Sequence, residues 1–142
     1  MKIVRSGTAR WKGGIQEGQG AISTESGALK EHPYGFRSRF EGQKGTNPEE
    51  LLGAAHAGCF TMALSKLLGD EKLTATRMDT TAKVSLEQSG SGYAITAVHL
   101  ILKAEIPDVD DEGFQLLAAK AKANCPVSKL LNAKITLDAT LV

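Results

Sequence analysis

A long uncharged run, Leu51–Ser65, constrains the fold of this chain more than any other segment, because it holds no Asp, Glu, Lys or Arg. Asn47 before it suits a helix N-cap, Pro48 suits the first helical position, and Glu50 stands at the third. A helix is therefore predicted to begin at Pro48. Apolar residues cover nearly every face of it, and a helix that is apolar all round is a buried one.

The rest of the chain alternates between strand and helix patterns with Gly-rich breaks between them. This order indicates one α+β domain over residues 1–142 rather than a parallel βαβ array. A single small sheet would struggle to cover a helix that is apolar on all sides, so a dimer core is expected. The predicted strands are 1–12, 21–24, 34–40, 80–86, 93–106 and 133–142, and the later helices run from Asp110 or Asp111 to Asn124 and from Pro126 to Leu131.

Composition excludes several classes of function. The net charge is +1 and the lysines are dispersed, so we expect no nucleic-acid partner. The first residues, 1–7, are too polar for a signal peptide. The uncharged run is shorter than the ~20 apolar residues that span a membrane, so no membrane partner is expected. A cytoplasmic location follows as the expectation, and there two cysteines are more often free, catalytic or metal-bound than structural disulfides.

Cys59, inside the uncharged run, has two interpretations. A cysteine in an apolar helix is usually a small hydrophobic residue, and burial raises its pKa and makes it inert. A nucleophilic role requires a nearby cation, because Cys59 lies about three turns past the helix start, too far for the helix dipole to act strongly. His56 lies on the same face. Arg37 and Arg39 are better cations because they do not lose their charge.

Cys125 and Glu49 also allow two interpretations each. Cys125 either marks a junction between two helices or is a thiol at a helix N-terminus that resolves an oxidised partner. Glu49 either stabilises a helix N-terminus or has a role in a site. A zinc site from His56, Cys59 and Cys125 lacks a fourth ligand at a familiar spacing. No Gly-x-Ser-x-Gly segment supports a serine hydrolase.

Several segments together match a known pattern: Ser23–Gly27, Pro33–Phe36, Arg39–Gly42, Gly45–Leu51, Ala54–Ala57 leading to Cys59 and Phe60, Cys125–Ser128 and Ile135–Asp138. On these segments, and over essentially its whole length, the chain resembles the superfamily of OsmC and organic hydroperoxide resistance proteins. His56 favours the OsmC branch, because the organic hydroperoxide resistance branch usually has Tyr at that position.

The resemblance implies an activity, a site and an assembly. The activity is thiol-dependent reduction of peroxides, with organic hydroperoxides favoured over hydrogen peroxide, in defence against oxidative and osmotic stress. Cys59 matches the peroxidatic cysteine, Cys125 the resolving cysteine, Arg39 the activating arginine and Glu49 the glutamate that orients it. A Cys59–Cys125 disulfide, an external dithiol reductant and no cofactor or metal are implied. The resemblance also implies an intertwined homodimer, with antiparallel-rich sheets around two long central helices and active sites at the subunit interface.

Two other functions remain open for a chain of this kind. The same apolar dimer pocket could carry a small hydrophobic ligand, with incidental thiols, or the thiols could serve a slow redox sensor. A ligand that co-purifies in stoichiometric amounts, or wild-type behaviour of a double Cys→Ser variant, would favour binding over catalysis.

Overall fold

The computed structural model describes all residues, 1–142, as two compact units, 1–51 and 52–142. Each unit contains one three-stranded sheet, and the chain has four helices, so the predicted α+β class is confirmed. The single domain expected over residues 1–142 stays a prediction.

The sheet of the first unit is antiparallel, in the order β1-β2-β3, with strands Gly7–Lys12, Gln19–Thr24 and His32–Tyr34. The rings of Trp11 and Tyr34 meet edge-to-face with their centroids 5.6 Å apart. Both rings pack over Gly20, where a Cβ would lie 2.4 Å from the Tyr34 ring. Only glycine therefore fits at this point of the middle strand.

The strand predicted over 34–40 is wrong, because Phe36–Phe40 forms a short helix, α1. The alternation of apolar and polar residues fits a strand, but Phe36 and Phe40 also stand one helical turn apart, with ring centroids 5.0 Å apart. The Ser38 hydroxyl decides the conformation locally. It accepts from the Gly35 N–H at 2.9 Å, and its single proton is shared between the carbonyls of Gly35, at 3.0 Å, and Thr46, at 2.9 Å.

Helix α2, Pro48–Asp70, begins as predicted. Asn47 Oδ1 accepts from the Glu50 N–H at 2.8 Å, which confirms the N-cap. The reciprocal half of a capping box is not formed. The Glu50 carboxylate instead accepts from the Thr46 hydroxyl at 3.3 Å.

The second unit contains a long antiparallel hairpin of β4, Arg77–Ser89, and β5, Gly92–Glu105. Its turn includes Gly90 at φ 59°, a left-handed conformation that suits glycine. The last strand, β6, Lys134–Leu141, runs parallel to β5. A parallel pair needs a crossover connection. Here α3, Asp111–Asn124, and α4, Pro126–Leu130, provide it, and Asp110 caps α3 through the Gly113 N–H.

One face of α2 enters the core of the second unit. Its buried positions are Gly53, His56, Phe60, Leu64 and Leu68, which recur at three- and four-residue spacing. The partners in this core are Val98, Leu100, Leu102 and Ala104 of β5 and Phe114, Ala118 and Ala121 of α3.

The opposite face of α2 is exposed, so the prediction of a helix buried on all sides is wrong for a single chain. Met62 on this face is 76% exposed. The physical reason is that one chain supplies a packing layer for only one side of the helix. By length and composition alone, α2 is also long and apolar enough to cross a membrane.

Candidate active site

The structure brings the two cysteines together, although 66 residues separate them in the sequence. Cys59 is half-buried on α2, and Cys125 is fully buried as the residue that precedes α4. Both thiols are free, and Cys125 lies close enough to Cys59 to change its pKa through hydrogen bonding. The backbone N–H of Val127 in α4 is also close enough to act on the Cys59 sulfur. A disulfide-forming pair requires two thiols that lie close together, and the structure meets this requirement.

The pKa of the Cys59 thiol is raised above its ordinary value. Burial is the main cause, and the hydrogen bond with Cys125 adds to it by favouring the protonated thiol. The Val127 N–H acts in the opposite direction, because it favours the thiolate. A nucleophilic Cys59 therefore needs a positive charge nearby, as the sequence indicated.

Arg39 and Glu49 form an ion pair in the first unit. Arg39 Nη2 donates to Glu49 Oε1 at 2.7 Å, and Nε donates to the two carboxylate oxygens at 3.1 and 3.3 Å. The Glu49 side chain is only 11% exposed, and the guanidinium also lies over the Phe40 ring. Arg37, in contrast, is 69% exposed and pairs loosely with Glu41 at 3.8 Å. Of the two arginines, Arg39 is the one that is held in place.

His56 is fully buried, and its Nε2 lies 2.7 Å from the Ser128 hydroxyl. Its Nδ1 has no hydrogen-bond partner, so the thiol–imidazole pair considered for Cys59 is not formed. Burial lowers the pKa of His56. Ser128 was not predicted as a site residue, and its place in the Cys125–Ser128 segment was the only signal for it.

An apolar cavity of about 490 Å³ opens beside Cys59 in the second unit. Its other lining residues are Met62, Ala63, Lys66, Leu67, Asn124 and Pro126. The wall is mostly hydrocarbon, with one amine and one amide. No group of three or more His, Cys, Asp or Glu side chains is arranged to hold a metal ion.

Comparison with known proteins identifies the family to which this chain belongs. The family model described as OsmC-like protein matches residues 41–140. The chain is 54% identical to Peroxiredoxin OsmC of Escherichia coli over 138 residues, which are 97% of this chain and 96% of that protein. It is 36% identical to the organic hydroperoxide resistance protein OhrA of Bacillus subtilis over 101 residues, 70% of this chain and 67% of that protein.

Among solved structures, the organic hydroperoxide resistance protein OhrB of Bacillus subtilis superposes with a TM-score of 0.73 at 28% identity. The match covers 95% of this chain and 98% of that one. The extent of the family match and the identity over nearly the full length establish the family. The chain belongs to the OsmC-like family of proteins.

Proposed function

We propose that this chain is a cysteine-based peroxidase, an oxidoreductase that reduces organic hydroperoxides to alcohols. The observation that carries the proposal is the Cys59–Cys125 pair beside an apolar cavity, in a chain of the OsmC-like family. The names of its relatives, a peroxiredoxin and organic hydroperoxide resistance proteins, support the same activity.

In the proposed first step the Cys59 thiolate attacks the distal oxygen of the hydroperoxide. A sulfur–oxygen bond forms, the oxygen–oxygen bond breaks, and the alkoxide leaves and takes a proton to become the alcohol. Cys59 is left as a sulfenic acid. The peroxide is reduced by two electrons, and the sulfur of Cys59 is oxidised by two.

In the second step the Cys125 sulfur attacks the sulfur of the sulfenic acid. A disulfide forms, the sulfur–oxygen bond breaks, and the oxygen leaves as water with the proton of the Cys125 thiol. An external dithiol then reduces the disulfide by thiol–disulfide exchange and becomes a disulfide itself. These steps need no cofactor or metal.

Arg39 is proposed to activate Cys59, and Glu49 to orient Arg39. A guanidinium near the sulfur stabilises the thiolate and opposes the rise of its pKa caused by burial. The bonds to Glu49 use Nε and Nη2, which leaves the two N–H groups of Nη1 for the thiolate or the departing alkoxide. A planar guanidinium fixed by a carboxylate can direct those donors, which a flexible lysine could not do equally well.

The exposed apolar face of α2 supports a homodimer as the working assembly. Met62 on that face is 76% exposed, and an exposed apolar patch on a long helix is typical of a protein–protein interface. A second copy of α2, rather than lipid, is the proposed cover, in an intertwined dimer with two central helices. A cytoplasmic location is proposed with it.

Steady-state turnover tests the activity directly. Cumene hydroperoxide and hydrogen peroxide are supplied in parallel to wild type and Cys59→Ser, with dihydrolipoamide as the dithiol. We expect turnover by wild type only, with the organic peroxide preferred. A Cys59→Ser variant that still consumes peroxide would contradict the proposal, as would a wild type that consumes none.

A further inference from the structure

Two residues of α2 contact the segment Cys125–Ser128, which forms the start of α4. Cys59 meets Cys125 and the Val127 N–H, and His56 meets Ser128. His56 precedes Cys59 by three residues on α2, and Ser128 follows Cys125 by three residues. The two segments therefore run antiparallel, and the His56–Ser128 hydrogen bond is one helical turn away from the thiol pair.

Packing alone does not explain why a histidine occupies position 56. The other buried positions on this face of α2 are glycine, phenylalanine and leucine, whereas His56 is a fully buried polar residue. In either neutral tautomer its Nδ1 stays unpaired. A buried polar atom without a partner costs free energy that an apolar side chain of similar size avoids. The interaction that compensates for this cost is the 2.7 Å hydrogen bond between His56 Nε2 and the Ser128 hydroxyl.

The segment that His56 holds has little stability of its own. Helix α4 is five residues long, and so short a helix does not persist without tertiary contacts. The same helix carries the Val127 N–H, and Cys125 stands at its start. A disulfide also accepts only a narrow range of separations and angles between the two residues. A small shift of α4 would therefore move the Cys125 sulfur out of reach.

We propose that the His56–Ser128 pair is a positioning pair for the resolving step, because it holds α4 in the register that lets Cys125 attack oxidised Cys59. The inference rests on the proposed function. The pair does not touch the peroxide and adds no charge, since burial keeps the imidazole neutral at neutral pH. It acts on disulfide formation more than on the first attack by Cys59.

Single-turnover oxidation separates the two steps. Ser128→Ala removes the hydroxyl, and Ser128→Thr retains it. Thr80→Val is the matched control, because it breaks another hydroxyl contact of α2, the 2.6 Å pair of Thr61 and Thr80, without touching α4. One equivalent of cumene hydroperoxide is added, peroxide loss is followed directly, and disulfide, sulfenic and sulfinic forms are counted by mass spectrometry of quenched samples.

For Ser128→Ala we expect peroxide loss within about twofold of wild type and disulfide formation about three- to tenfold slower, the effect of one neutral hydrogen bond. Excess peroxide should then give more sulfinic acid at Cys59. Ser128→Thr should restore the disulfide rate, and Thr80→Val should keep it. Diamide oxidises two neighbouring thiols to a disulfide without a peroxide. With diamide, the rates of disulfide formation in these variants should follow the same order.

Disulfide formation at the wild-type rate in Ser128→Ala would overturn the inference. So would an equal slowing of both steps, or slow resolution in Thr80→Val, since either would indicate general loosening. Failure of the proposed function looks different. Wild type would then not consume peroxide, while the diamide arm would still report whether Ser128 positions Cys125.

Discussion

Two nitrogens of the Arg39 guanidinium, Nε and Nη2, donate to the carboxylate of Glu49, which joins the end of α1 to the first turn of α2. A strand over 34–40 would place Arg37 and Arg39 on one face as equivalent cations. In the short helix they point differently, so only Arg39 reaches the buried carboxylate and Arg37 remains in solvent. The helical conformation of Phe36–Phe40 therefore places Arg39, and not Arg37, beside the Glu49 carboxylate.

Glu49→Gln should lower kcat/KM for cumene hydroperoxide about 10- to 100-fold, the range for one charged hydrogen bond. The neutral amide keeps the size of the side chain but holds the guanidinium less firmly. Stability should fall by only about 1 kcal/mol, because the Arg39 side chain is 37% exposed and solvent screens the pair. Steady-state kinetics and urea unfolding provide the two measurements.

Glu41→Gln is the matched control, because it removes the carboxylate of the exposed Arg37 pair. Its kcat/KM should match that of wild type. Equal losses in the two variants would mean that the net charge near α1 matters rather than the orientation of Arg39.

Cys125→Ser should complete one turnover and then stop. The first attack needs only Cys59, but its sulfenic acid then lacks a resolving thiol and oxidises further to the sulfinic form. Intact mass after one equivalent of peroxide should show the loss of two hydrogens in wild type and the gain of oxygen in the variant. Absence of a Cys59–Cys125 disulfide in wild type would rule out the two-cysteine mechanism.

The cavity beside Cys59 predicts a preference for longer alkyl hydroperoxides. Each buried CH₂ contributes up to ~0.8 kcal/mol, which is up to about fourfold in kcat/KM. Met62→Gln keeps the size of a lining residue but removes its apolar surface. The increase in kcat/KM for each added CH₂ of the substrate should therefore become smaller. Leu116→Gln on α3 is the control, since Leu116 is 68% exposed and does not line the cavity. Equal efficiency for hydrogen peroxide and alkyl hydroperoxides would count against this binding mode.

Patterning of apolar residues accounts for most of what the sequence predicted about this fold. The strands predicted over 80–86 and 93–106, the start of α2 at Pro48 and the end of α3 at Asn124 follow from local rules, and the structure confirms them. The alternation over 34–40 predicts a strand where a helix forms, because Phe36–Phe40 fits both periodicities equally well. The Ser38 hydroxyl favours the helix through a carbonyl eight residues away.

In the candidate site, too, contacts between residues far apart in the sequence could not be predicted from local patterns. The family resemblance, and not local patterning, implies the pairing of Arg39 with Glu49, and the meeting of Cys59 and Cys125 depends on how α3 and α4 cross between two parallel strands. Periodicity does not encode such long-range placement. The Ser128 contact was missed for the same reason, since 72 residues separate it from His56.

Acid should destabilise this protein through His56. Burial lowers its folded pKa below the unfolded value of 6.5, so the unfolded state binds the proton more readily. The stabilising contribution is complete above pH about 6.5 and declines as the pH falls toward the folded pKa, by at most ~1.4 kcal/mol per pH unit. Urea unfolding of wild type and His56→Gln between pH 7.5 and 5.5 measures the difference. Parallel curves for the two proteins would show that His56 does not contribute.

Helix geometry leads to a test of the dimer. Glu49 and Cys59 lie ten residues apart on α2, which in a straight helix is ~15 Å along the axis with faces offset by ~80°. A direct hydrogen bond between that carboxylate and that thiol is excluded, and one guanidinium must come within a few ångströms of both groups to couple them. We therefore propose that Arg39 and Glu49 of one protomer act on Cys59 of its partner.

Subunit exchange decides whether the site is shared. Cys59→Ser and Arg39→Ala homodimers should each be inactive or nearly so. In a mixed dimer with shared sites, one site carries both defects and the other carries none, so activity should return to about half of wild type per mixed dimer. If each site is built within one chain, every site in the mixed dimer lacks one essential group and activity stays at the level of the parents. Mass-labelled subunits confirm that exchange has occurred, and no recovery after confirmed exchange would exclude the shared site.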